Sequence, residues 1–219
     1  RLLQNLGHEV TEVPLPYTSE VFKDLFFPMV ASETAATLRL MSRWLGRPVS
    51  TSDVELNTWL LAKLGEVYTG ADYAFAHFQW NELSRSMAVF HKQFDLLLTP
   101  VLSRPPIKIG ELQNSRQENL SLKLLQKTGG YSFLKGSKII DQLVEKTFAY
   151  IPYTPIANMT GQPSMSVPLH WTDTNLPVGV MFTGRMGEEG LLFRLAAQLE
   201  EAQPWADKRP ATEELTVQR

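Results

Sequence analysis

The stretch from Thr154 to Trp205 constrains the fold more than any other part of the chain. It opens Thr-Pro-Ile-Ala-Asn-Met-Thr-Gly-Gln-Pro-Ser-Met-Ser-Val-Pro-Leu, which predicts a proline-bearing turn running into a strand over Met165–Leu169. Asp173–Pro177 has turn composition, and Val178–Thr183 is a second apolar run of strand length. Glu188–Glu200 then places Leu191, Leu192, Leu195, Ala196 and Leu199 at the spacing of one helix face. A turn, a strand, a hairpin, a second strand and a helix in that order make part of an α/β layer.

The upstream residues extend that layer. Arg1–Gly7 reads as the last turn of a helix, with Leu2, Leu3 and Leu6 on one face and Gly7 where a C-cap glycine belongs. Because Arg1 is not an initiator Met, the chain is expected to start inside a larger protein. Alternation over Glu9–Pro14 predicts a short strand closed by Pro14 and Pro16. Ser19 can cap a helix from Glu20, which Pro28 should kink or split and Gly46 should stop. Thr51–Leu64 predicts a helix capped by Ser52 or Asp53, with Glu55 placed for a capping box.

Thr69–Gln93 predicts a long amphipathic helix whose packed face carries Tyr73, Ala76, Trp80, Leu83, Met87 and Phe90. Phe94–Leu102 is continuously apolar and predicts a strand covered on both faces. Loops over Ser103–Glu118 and Thr128–Gly136 are expected to flank a short helix at Leu120–Lys127, and a further helix spans Ser137–Phe148. Tyr150–Pro163, with three prolines, reads as irregular, and 205–219 as a flexible charged tail.

Several chemistries are excluded or unsupported. The chain has no Cys, which rules out thiolate catalysis, disulfides and Cys-ligated zinc. A net charge of −2 gives no reason to expect nucleic acid or an anionic membrane as a partner, and no apolar run reaches membrane-span length. His8, His77, His91 and His170 show no metal-ligand spacing, and no phosphate loop or GxSxG is present. No cofactor is expected. Absence of Cys and of a signal peptide fits a cytoplasmic protein.

The pieces with specific mutual spacing are Asp95-Leu-Leu-Leu-Thr-Pro, then Thr154-Pro with Asn158, Thr160, Gly161, Pro163, Ser166, Val167 and Pro168. They continue with Leu176-Pro-Val-Gly-Val, Gly184-Arg185, and Leu191 to Pro204-Trp205. Together they resemble the C-terminal portion of amidase-signature enzymes, which hydrolyse amide bonds. The wording over Tyr150–Leu169 and Leu176–Trp205 is similar to the branch that contains 6-aminohexanoate cyclic-dimer hydrolases. About half of the chain carries the resemblance well, and the helical stretch 17–93 carries it loosely.

The resemblance implies an α/β fold with a mixed sheet covered by helices, residues 1–219 forming the C-terminal portion of a single amidase-signature domain. It implies a serine nucleophile, a bridging serine and a neutral lysine base, with a Gly/Ser-rich loop that stabilises the oxyanion. A lysine serves as base only if burial lowers its pKa well below about 10.4. No Gly-Gly-Ser-Ser-Gly-Gly or near relative occurs in this sequence, so no catalytic residue is assigned; Ser164, Ser166, Lys123, Lys127 and Lys135 are connected by no motif.

The implied contribution of this portion is substrate shape. Candidate pocket-lining residues are Asn158, Met159, Thr160, Gly161 and Gln162. The same residues suit a purely structural role: Gly161 permits positive φ, Pro163 stiffens the strand entry, and Asn158 and Thr160 can satisfy turn amides. The expected partners are a small amide substrate, the missing N-terminal half of the enzyme and a second copy in a homodimer. Two alternatives stand beside the hydrolase: an amidase-like subunit of a tRNA-dependent amidotransferase, and a non-enzymatic α/β interaction module.

Overall fold

The computed structural model describes residues 1–133, 135 and 137–209. The expected tail therefore lies, from residue 210 onward, outside the described residues. The chain divides into two compact units, Arg1–Phe90 with Tyr131–Lys135, and His91–Gly130 with the residues after 135.

The first unit is helical. Helix α1 (Leu2–Asn5) ends before Gly7, whose φ of 89° supplies the expected C-cap geometry. The strand expected over Glu9–Pro14 does not form, and these residues are irregular. Pro14 and Pro16 cannot donate to a ladder, and no pairing strand is described in this unit. Around Pro28 the helix does not break. A π turn, Phe22–Phe26, precedes α2 (Phe27–Leu45), and the Phe27 N–H reaches back to the Phe22 carbonyl. Widening the helix by one residue accommodates a proline that lacks an N–H and crowds the preceding turn. Gly46 (φ 65°) ends α2 in the left-handed conformation.

The helix expected from Thr51 starts later, as α3 (Leu56–Gly65) with Glu55 at its N-cap. Asp53 is occupied elsewhere. It accepts from the Ser50 N–H (2.7 Å) and hydroxyl (2.6 Å) and from both Arg47 terminal nitrogens at 2.8 Å, which holds its carboxyl far below the usual range. Leu38, Ala35, Val49 and Ala62 pack with Met41, Val54 and Trp59 between α2, the loop and α3. The two helices approach closely at Gly65, where a Cβ would sit 2.0 Å from the Ala31 carbonyl oxygen. Helix α4 (Gly70–Phe90) buries Ala76, Leu83 and Met87, as its periodicity predicts, with Tyr73, Trp80 and Phe90 half-buried.

The second unit holds the sheet. Strands β1 (Leu97–Pro100), β2 (Ser164–Trp171) and β3 (Pro177–Thr183) pair in the order β1-β3-β2, antiparallel throughout. The α/β class holds; a mixed sheet needs a parallel pair, and none occurs among these strands. β1 alternates instead of being covered on both faces: Leu97 and Thr99 are buried, and Leu98 is 42% exposed. As an edge of the described sheet it has a neighbour on one side only.

Between β1 and β2 lie α5 (Arg116–Thr128), α6 (Lys138–Phe148) and α7 (Thr154–Thr160). α5 starts earlier than expected because Ser115 and Glu118 form a complete capping box. α7 replaces the irregular segment expected there. Pro155 stands in its first turn, where the missing N–H costs nothing, and Gly161 (φ 71°) closes it. α8 (Glu189–Ala202) buries Leu192, Leu195 and Leu199, with Leu191 and Ala196 half-buried, and packs on β2.

Candidate functional site

The residues singled out in sequence fall on one structural corner, where α7 turns through Gly161 into β2. That corner is tied to the end of β3. The Gln162 side-chain amide donates to the Gly184 carbonyl at 2.8 Å, and the Gly184 N–H donates to the Pro163 carbonyl at 2.9 Å. The Thr160 hydroxyl lies 2.9 Å from both Gln162 Oε1 and the Ile156 carbonyl, and its single proton serves one of them at a time. One pair further along the ladder, Ser164 and Thr183 face each other with their hydroxyl oxygens 2.8 Å apart. These hydrogen bonds, two of them to or from the backbone of Gly184, tie the corner to the end of β3.

The five candidates divide in two. Met159 and Thr160 are buried, and Gln162 is half-buried with its amide turned to Gly184. Asn158 and Gly161 are exposed. Met159, Thr160 and Gln162 therefore hold the corner, and Asn158 and Gly161 are presented by it.

Beyond Gly184 the chain makes a turn that sequence reading left without a role. The Glu188 N–H donates to the Arg185 carbonyl at 3.1 Å, and Gly187 occupies the third position with φ 82°. Arg185 pairs with Asp95 at 3.0 Å, linking this turn to the segment entering β1. Met186 stands at the turn's second position, 69% exposed. Its Cε methyl lies 3.2 Å from the place a Cβ on Gly161 would occupy. The sequence signal was present in Arg185-Met-Gly187, a turn-forming pattern, but nothing local links it to Gly161.

Next to this corner, β1 ends in the Thr99-Pro100 pair. Thr99 is buried, with no hydrogen-bond partner for its hydroxyl among the described residues, and Pro100 is exposed. His91, at the start of this unit, is buried with Nδ1 3.0 Å from the Phe94 carbonyl; burial is the main reason its pKa is lowered. Among the described residues no group of three or more His, Asp or Glu could hold a metal ion, and no helix is long and apolar enough to cross a membrane.

An antiparallel hairpin backed by α8, with a hydrogen-bonded corner beside it, defines an α/β protein whose candidate site is made by turns at strand ends. The family model for Amidase matches residues 1–193, across both units, and the chain belongs to the amidase family. The chain is 26% identical over 210 residues to the 6-aminohexanoate-cyclic-dimer hydrolase of Pseudomonas sp. (strain NK87), covering 95% of this chain and 39% of the relative. It is 26% identical over 201 residues to a lipoamidase of Enterococcus faecalis, covering 90% of this chain and 27% of the relative. A solved structure of 6-aminohexanoate cyclic dimer hydrolase superposes with a TM-score of 0.71 at 26% identity, covering 96% of this chain and 41% of that one. The chain thus spans about two fifths or less of the length of these relatives.

Proposed function

We propose that this chain is the C-terminal, substrate-shaping portion of a single-domain amide hydrolase, and that the hydrolytic groups belong to a further portion of the same enzyme. The observation that carries the reading is the corner at Gly161. Three of its side chains are spent on holding it, and the exposed Asn158 and Gly161 are left to form one wall of an acyl pocket. Serine, lysine and oxyanion donors are sought outside these residues, because the chain lacks the Gly/Ser-rich segment on which such chemistry depends.

Small amides are the substrate class. Likeness to enzymes named for 6-aminohexanoate cyclic dimer makes that compound, or a short-chain relative of it, the first to try. The wall's contribution is binding and orientation: it holds the acyl chain so that the carbonyl is presented to a nucleophile. The enzyme is placed in the cytoplasm, needs no cofactor, and pairs with a second copy of itself. A net charge of −2 gives the chain no electrostatic footprint for tRNA, which sets the amidotransferase reading second.

The test is a panel of an aromatic anilide, a short aliphatic amide and a cyclic amide dimer. It is given to the 219-residue chain alone and to the longest product of the gene that contains it. Hydrolysis by a longer product and none by the chain supports the reading. Hydrolysis by the chain itself would overturn it.

A further inference from the structure

Met186 is an exposed thioether held over an exposed glycine, and three independent features put it there. A turn closed by the Glu188 N–H to Arg185 carbonyl bond, with Gly187 at φ 82°, sets the backbone. The Arg185–Asp95 pair, 3.0 Å, links the preceding residue to the segment entering β1. The absence of a side chain at Gly161 leaves the space that the Met186 methyl fills, 3.2 Å from where a Cβ would stand. A methionine 69% exposed on a fixed turn adds little to the core. Unbranched and polarisable, it suits an adaptable apolar contact.

We infer that Met186 is a specificity-determining residue that, with Gly161, grips the alkyl part of the acyl chain. The inference rests on the reading of the Gly161 corner as a substrate wall, and it adds a residue from a different segment to that wall. Gly161, already favoured by its φ of 71°, also leaves room for the Met186 methyl, which a Cβ there would push aside. Apolar contact of this kind grows with each methylene of the substrate, whereas a one-carbon acyl group is too short to reach it. Met186 therefore discriminates by chain length and touches no reacting atom.

The experiment uses the whole enzyme that contains this chain, with acetyl, butyryl and hexanoyl anilides as probes. Met186→Ala is expected to lower kcat/KM for the hexanoyl anilide about tenfold, mainly through KM, and to leave the acetyl anilide within about twofold. Met186→Leu, which keeps apolar bulk, should restore most of the loss. Thermal unfolding of both variants separates a loss of contact with the acyl chain from a loss of fold. A separate variant, Asn158→Ala, reports on the wall itself. If Asn158→Ala changes the ranking of the three anilides and Met186→Ala does not, the inference about Met186 is overturned and the wall stands. If neither variant changes the ranking, the wall reading fails and the inference with it.

Discussion

Gln162 donates its side-chain amide to the carbonyl of Gly184 across 2.8 Å, joining two segments 22 residues apart. The bond converts a local turn after α7 into a fixed corner of the sheet. Gly184 is itself buried, and its N–H returns a bond to Pro163, so the two segments exchange backbone and side-chain donors.

Replacing Gln162 with Leu leaves the buried Thr160 hydroxyl only the Ile156 carbonyl and deprives the Gly184 carbonyl of a donor. A loss of about 1–3 kcal/mol is expected. In urea unfolding the midpoint should fall with the slope unchanged. Gln162→Glu should be at least as damaging, because a carboxylate cannot donate to Gly184.

Gly161 has φ 71°, a region that costs an L-residue about 1–2 kcal/mol, less for Asn. Stability should rank Gly above Asn and Asn above Ala at this position. The Ala variant should also displace the Met186 methyl, a change visible in its methyl NMR signal. Equal stability for Gly161→Ala would mean the left-handed turn is not kept in solution.

Gly65→Ala should be the most damaging single methyl in the first unit. Its Cβ would stand 2.0 Å from the Ala31 carbonyl oxygen and 2.9 Å from the Ser32 nitrogen, backbone atoms that cannot swing aside. Parting α2 from α3 should cost about 3 kcal/mol, the upper part of the overpacking range. Thermal unfolding measures this directly.

Buried His91 resists protonation, its pKa lowered chiefly by burial, with Arg185 adding to the effect and the Phe94 carbonyl and Asp95 opposing it. In the unfolded chain the ring takes up a proton near about pH 6.5. The unfolded state then binds more protons than the folded one, so stability is full above that pH and declines as pH falls below it. Urea midpoints from pH 8 to pH 5 should fall, and His91→Gln should flatten the curve.

The sequence made the hairpin and its helix legible because apolar periodicity and turn composition agree there. β2, β3 and α8 lie within a few residues of their expected places. α7 is obscured by Pro152, Pro155 and Pro163 in and around it, although Pro155 in the first turn and Gly161 after the last residue are themselves helix punctuation. The strand expected at Glu9–Pro14 failed because alternation alone does not supply a partner strand. In the candidate site, the division of the five consecutive residues into holders and presented residues follows from burial and from the Gln162 contact to Gly184, neither of which is local to the sequence. Met186 was missed for the same reason: its place over Gly161 joins positions 25 residues apart through the β2–β3 pairing.

The most direct measurement is a crystal structure of the whole enzyme containing this chain, soaked with hexanoate as an acyl product. Alkyl carbons of the ligand are expected within about 4.5 Å of Asn158, Gly161 or Met186, with the Gln162–Gly184 bond intact. Hexanoate bound in a pocket that none of these residues lines would contradict it.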